Sequence, residues 1–218
     1  MSYRYDSVVW DFNGTIFDDV GACFEAANRL MERHGLKPLE SLFQYRNLFG
    51  FPIRDYYIRM GFDFNKTPYE DLAIEWVKLY NEYSAESKVF TEAVRVAEHL
   101  QERGFYQCLL SATEYRMLSR QLDSLGISRL FQNILGSDNI HAYGKEQIAC
   151  RWRENHPDRR VVLIGDTEHD FEVARSIGAD CILFSRGHRN EEDLKKTGAV
   201  LVSSDYGEIE SLICGFQG

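Results

Sequence analysis

The chain has 218 residues, 44% of them hydrophobic, and a formal net charge of −9, which suits one large domain or one domain with an insert. The acidic balance argues against general nucleic-acid binding, which needs a basic footprint, but it allows small anionic substrates, because one local cation or metal ion inverts the field in a cleft. No run approaches a membrane span, the N-terminus has no secretory layout, and five scattered cysteines (Cys23, Cys108, Cys150, Cys181, Cys214) without a CxxC pair suit reduced thiols, so a cytoplasmic protein that touches no membrane is expected.

In chain order, the first element is the apolar run Ser7-Val8-Val9-Trp10, which ends in Asp11 and the turn Phe12-Asn13-Gly14-Thr15. A buried parallel strand delivers a carboxylate to a sheet edge in this way. Asp18-Asp19 then precede apolar positions at Val20, Cys23, Phe24, Ala27, Leu30 and Met31, whose spacing predicts a helix with acidic residues at its N-terminal end and Gly35 as its stop. Residues 38–66 are rich in aromatics and broken by Gly50 and Pro52, and the spacing casts these aromatics as core more readily than as a substrate box. Thr67-Pro68-Tyr69-Glu70 predicts a helix start, with threonine as the cap and proline at the first helical position.

From residue 88 onward, strands alternate with helices. Helix 91–103 is followed by strand 106–111, helix 113–125 and strand 133–136. Helix 145–155, strand 161–166, helix 168–177 and strand 181–184 follow, then a short strand at 199–202 and a terminal helix. Such alternation implies an α/β fold with a doubly wound parallel sheet. The first strand must join that sheet, so residues 1–17 and 86–218 form the expected core and residues 18–85 an inserted all-helical cap.

Asp11, Ser111 and Asp166 each stand at or beside the end of a strand, and such ends share one edge of a parallel sheet. Asp170 follows Asp166 by four residues at the start of a helix, and Lys145 opens another helix just after a glycine. Taken singly, each has a plain structural role available: a turn or cap for the aspartates, a cap for Ser111, a solvated surface position for Lys145. Taken together they form a set of carboxylates, a hydroxyl and an ammonium. Clustered carboxylates resist ionisation; a divalent cation relieves that, and oxygen ligands suit Mg²⁺ with a substrate phosphate. Ser111, the backbone N–H groups of the Gly14 turn and Lys145 could then hold a tetrahedral oxyanion. Asp11 could serve as a ligand or as a nucleophile. His141, His169 and His188 lack metal-ligand spacing and are expected at the surface or in caps.

These residues resemble the haloacid dehalogenase superfamily of hydrolases, specifically its phosphoglycolate phosphatase-like members with a helical cap. Asp11-Phe12-Asn13-Gly14-Thr15 is similar to the nucleophile loop, Ser111 to the phosphate-binding hydroxyl, Lys145 to the charge-neutralising lysine, and Gly165-Asp166-Thr167-Glu168-His169-Asp170 to the acidic metal site. The resemblance implies a Rossmann-like core and a Mg²⁺-dependent hydrolase of a small phosphorylated metabolite, monomeric or homodimeric. Asp11 would become an aspartyl phosphate. Asp11, the backbone carbonyl of Asn13 and Asp166 would bind the metal, with Asp170 in support. Ser111, Ala112, Gly14 and Lys145 would hold the phosphoryl oxygens.

The departure is Asn13, where phosphatases of this family usually carry an aspartate that moves the proton. An amide cannot do that, and such help is worth about 10²–10⁴-fold. Three other outcomes therefore stand open. One is a phosphate-binding regulator with little turnover. Another is a phosphonatase, which would want a cap lysine such as Lys37, Lys66, Lys78 or Lys88. The third is a dehalogenase, against which the intact acidic pair weighs.

Overall fold

The computed structural model describes residues 3–137 and 145–215. Its main sheet has six strands: β1 (Ser7–Trp10), β4 (Tyr106–Glu114), β5 (Asn133–Ser137), β6 (Val161–Gly165), β7 (Asp180–Phe184) and β8 (Leu201–Ser203). The strand order is β5-β4-β1-β6-β7-β8, with every pairing parallel. β1 lies centrally, Ser7 being level with Tyr106 on one side and Val161 on the other. All four of its residues are buried, as an unbroken apolar run in a doubly covered parallel sheet requires. The chain winds outward from β1 in both directions, so the strand order reverses there. Ligands of open α/β sheets bind at such a reversal, beyond the strand ends.

Six helices accompany the sheet: α5 (Thr91–Glu102), α6 (Tyr115–Ser124), α7 (Glu146–Glu154), α8 (Glu168–Ser176), α9 (Glu191–Leu194) and α10 (Tyr206–Cys214). One face of the sheet packs Trp10, Leu109 and Ile164 against Leu100 and Ile209. The other packs Val9, Leu110 and Leu163 against Val173 and Ala174. Four further helices lie between the two halves of this sequence: α1 (Val20–Arg33), α2 (Leu42–Leu48), α3 (Ile53–Arg59) and α4 (Tyr69–Tyr83). They gather a hydrophobic cluster of their own around Leu30, Tyr45, Tyr56, Leu72 and Leu79. The chain enters this helical layer through β2 (Phe17–Asp18) and leaves it through β3 (Lys88–Val89), which pair antiparallel as Phe17↔Val89 and Asp18↔Lys88.

Three local expectations change. Strand β4 does not stop at Ser111 but runs to Glu114, across a register irregularity between Leu110 and Glu114, and α6 therefore starts at Tyr115 rather than Thr113. Gly136 on β5 permits this, since a Cβ there would lie 2.7 Å from Tyr115 Cα and 3.0 Å from the Thr113 carbonyl. Glu114 then caps α6 by accepting from the Met117 N–H at 3.0 Å. At α4, Pro68 is the cap, with extended ψ of 144°, and the helix starts at Tyr69 without a side-chain cap from Thr67, whose N–H turns back to the Asp63 carbonyl. The last strand begins at Leu201, after Gly198 turns the chain at a φ of 91°.

Candidate active site

Asp11 leaves β1 at the centre of the sheet, Asp166 leaves the neighbouring β6, and Asp170 sits in the first turn of α8. Lys145 is the residue before α7. All four are buried. The Lys145 ammonium bridges two carboxylates, touching Asp11 Oδ1 and, at 2.5 Å, Asp170 Oδ1. Asp170 Oδ2 in turn accepts from the backbone N–H groups of Asp166 (3.1 Å) and Thr167 (3.0 Å) and from the Thr167 hydroxyl (2.8 Å).

Ligand oxygens of Asp11, Asp166 and Asp170 fall within 4.8 Å of one another. Burial pushes Asp11 up to about 6, against the pull of Lys145, and holds Asp166 well above the usual carboxylate range. Burial would raise Asp170 too, but Lys145 outweighs it and keeps Asp170 low. Lys145 thus serves Asp11 and Asp170, while Asp166 draws only on His188, itself paired with Asp19, so carboxylates outnumber cations here. The donor set is all oxygen, as Mg²⁺ prefers. Backbone closes tightly around Asp166: a Cβ on Gly14 or on Gly187 would sit 2.3 or 2.2 Å from Asp166 Oδ2. The residues present fit a small divalent cation.

Asn13 is clamped on both sides. Its Nδ2 donates to Asp19 Oδ2 (2.7 Å) and the Tyr80 hydroxyl (2.9 Å), and its Oδ1 accepts from Thr113 Oγ1 (2.9 Å) and, more distantly, Ser111 Oγ (3.4 Å). Asp19 also accepts from the Gly14 N–H (2.9 Å) and from Tyr80 (3.0 Å), and it meets His188 Nε2 at 3.2 Å. The Gly14 N–H is therefore committed to Asp19 and to the Phe17 carbonyl, which removes it as a free donor to an oxyanion. Ala112 lines the cavity described below, as does Ser111.

Asp19 stands at the N-terminal end of α1, as expected of the acidic residues there, but it is fully buried and makes no cap bond. One expectation is corrected here. His188 is not at the surface: its N–H donates to Asp166 Oδ2 at 2.6 Å and its Nδ1 meets the Tyr45 hydroxyl at 2.8 Å. The sequence carried a usable signal for His188, which closely follows β7 beside Gly187, as Asp166 follows β6. Asp19, Tyr80, Tyr45 and Thr113 had no such mark, because their approach to Asn13 or His188 depends on tertiary packing. His169 is half-buried, its ring stacked on Phe51 at 4.4 Å; His141 lies outside the described residues.

Burial alone would lower His188, but the Asp19 carboxylate outweighs it and raises the imidazole to about 9. A histidine whose folded value lies above its ordinary 6.5 contributes stability that is complete below pH 6.5 and lost as pH rises through about 9. The melting temperature of the metal-free protein should therefore fall across that window. The variant Asp19→Asn should flatten the fall, and an unchanged slope in differential scanning calorimetry would refute the pairing.

A cavity of about 180 Å³ opens above the carboxylates. Its floor is Asp11, Asn13, Ser111 and Lys145, and its upper wall comes from the helical layer, including Phe49, Tyr56, Tyr57, Trp76 and Tyr80. The aromatics expected as core are thus divided: Tyr56 and Tyr57 serve the core and the wall at once. Cys23 is buried and also reaches the cavity. None of Lys37, Lys66, Lys78 and Lys88 lines it.

The sequence matches the family model described as haloacid dehalogenase-like hydrolase over residues 8–184. It is 20% identical to a phosphoglycolate phosphatase of Vibrio parahaemolyticus over 94% of this chain and 95% of that one. The fold superposes on a haloacid dehalogenase-like hydrolase from Streptococcus pneumoniae with a TM-score of 0.76 at 18% identity, covering 94% and 97% of the two chains. It superposes also on a hydrolase from Deinococcus radiodurans R1, solved with bound phosphate and sodium, with a TM-score of 0.68 at 17% identity, covering 96% and 95%.

Proposed function

Since the chain belongs to the haloacid dehalogenase-like hydrolase family, we propose that it is a Mg²⁺-dependent phosphatase of small phosphomonoesters that works through an aspartyl phosphate on Asp11. The observation that carries this is the meeting of Asp11 with Lys145, Asp166 and Asp170 on the floor of one cavity. Phosphoglycolate phosphatases among the relatives and a structural neighbour with bound phosphate support it.

Asp11 Oδ forms a bond to phosphorus as the bond from phosphorus to the ester oxygen breaks, and that oxygen leaves with the electron pair. Water then attacks the phosphorus and frees Asp11 and inorganic phosphate. Lys145, Ser111 and the backbone around Ala112 hold the phosphoryl oxygens in place, which is how most of the catalysis in phosphoryl transfer arises. Asp11, the Asn13 backbone carbonyl and Asp166 would hold Mg²⁺, with Asp170 behind them. Bound there, the ion supplies the positive charge that the carboxylates and the phosphoryl group lack. The helical layer acts as a cap of residues 18–85 that excludes water.

Phosphate release in the presence of Mg²⁺, stopped by EDTA, is the expected result. An acid-quenched sample should carry a phosphoryl adduct on the peptide containing Asp11, absent in Asp11→Asn. Wild-type protein that yields neither phosphate nor adduct overturns the proposal. Asn13 favours a second reading, a phosphate-binding regulator: it requires phosphate and Mg²⁺ to bind in titration calorimetry with no release.

A further inference from the structure

The upper wall of the cavity is chemically one-sided. Phe49, Tyr57, Trp76, Tyr80 and Met117 face it, and among its described lining residues the sole lysine or arginine is Lys145, already engaged by Asp11 and Asp170. The arginines nearby are occupied elsewhere. Arg46 donates to the carbonyls of Gly187 and Arg186, Arg189 to Glu168 and to the carbonyls of Arg46 and Phe49, and Arg54 lies over the rings of Phe64 and Tyr69. His188 is held by Asp19. An ester whose leaving group bears a carboxylate would bring a second anion in beside Glu114 and the buried aspartates, with no cation free to pair it, and burying an unpaired charge is costly.

From this we infer that the leaving group selected here is uncharged and aromatic, an inference that rests on the phosphatase reading above. Three observations converge on it. The first is the lining: Phe49, Tyr57 and Trp76 give the cavity an aromatic wall above the carboxylate floor that would take the phosphoryl group. The second is Tyr56, which lines the cavity and whose buried hydroxyl has no hydrogen-bond partner among the described residues, so the wall offers one neutral polar contact to an otherwise apolar group. The third is Asn13. An aliphatic alcohol leaves as a strong base and needs a proton from the enzyme, whereas a phenolate, with a conjugate acid near 10 like the tyrosine side chain, leaves without one. The apolar wall and the missing acid select the same class of ester.

The test separates ring recognition from leaving-group ability. Kinetics with Mg²⁺ would compare ethyl, benzyl and phenyl phosphates with 2-phosphoglycolate. Benzyl and ethyl phosphates both release alcohols, so a KM at least about tenfold lower for benzyl phosphate reports the wall. Phenyl phosphate should then exceed benzyl phosphate in kcat by about 10² or more, the part an acid would otherwise supply. In Trp76→Ala the preference for benzyl over ethyl, as a ratio of kcat/KM, should fall about tenfold, whereas a purely structural role for Trp76 would lower both alike. Phosphate release that favours 2-phosphoglycolate, or that treats ethyl and benzyl phosphates equally, overturns the inference and leaves the phosphatase reading standing. Release from none of the four overturns the phosphatase reading. Titration calorimetry with benzylphosphonate and phosphonoacetate then decides the inference: tighter benzylphosphonate binding supports it, and equal or weaker binding refutes it.

Discussion

Lys145→Met should destabilise the metal-free protein by about 3–5 kcal/mol, the usual cost of stripping one partner from a buried ion pair. The loss should exceed that of an ordinary surface charge because Lys145 is the shared cation of Asp11 and Asp170 and is itself fully buried. Without it three carboxylates face one another, and folding must then protonate some of them. Asp11 and Asp166 would rise further and Asp170 would lose the pull that keeps it low, so the penalty should be greatest at high pH and shrink as the solution is acidified toward pH 5. Mg²⁺ offers a second remedy, since an ion that binds only the folded state adds stability as its concentration grows. Urea melts of Lys145→Met with EDTA and with Mg²⁺ would show both effects. A variant as stable as the wild type in EDTA, or one insensitive to Mg²⁺, contradicts the charge deficit described for this cluster.

Asn13→Asp alone should raise turnover of an alkyl phosphate less than tenfold, although it restores the aspartate common in related phosphatases. The reason is Asp19. Asn13 Nδ2 sits 2.7 Å from Asp19 Oδ2, so the substitution sets two carboxylate oxygens against each other, and such a pair shares one proton. That proton is held between them and is poorly placed to reach a leaving oxygen. Removing the clash with Asn13→Asp/Asp19→Asn should free the new acid and increase kcat for ethyl phosphate by about 10²–10⁴-fold. The single variants and the double variant form a cycle whose coupling measures the interaction. A full gain from Asn13→Asp alone would show that Asp19 does not restrain position 13. The same packing bears on deamidation, to which an Asn-Gly pair is prone: the Gly14 N–H that would have to attack the side chain is tied to Asp19 and to the Phe17 carbonyl.

The centre of the sheet was legible in the sequence because β1, β6 and β7 carry apolar runs, each closed by a polar residue or glycine. The positions of Asp11 and Asp166 followed from the same logic, since a parallel sheet aligns its strand ends, whereas Lys145 was marked only as opening a helix after a glycine. Strand β4 was misjudged at its end because Gly136, a residue of another strand, decides how far it extends. The helical start at Thr67 was misjudged because local capping chemistry competes with the extended backbone of Pro68. Asp19 and His188 escaped notice for a different reason. A charged residue at a helix start and a histidine in a loop ordinarily face water, and only the closure of the helical layer over the sheet buries them together.

The two-residue ribbon of β2 and β3 carries a consequence for how this protein can change. Phe17 and Val89 are paired neighbours, so the chain departs for the helical layer and returns from it at adjoining points. A segment of any length could be exchanged between them without rerouting a single strand of the sheet. Asp11, Lys145 and Asp166 would keep their places while the wall that meets the leaving group was rewritten. Inheritance can therefore vary the cavity wall while the strand-borne carboxylates stay in place, provided that Asp19, Tyr45 and Tyr80, which lie in the exchanged segment and hold Asn13 and His188, are kept.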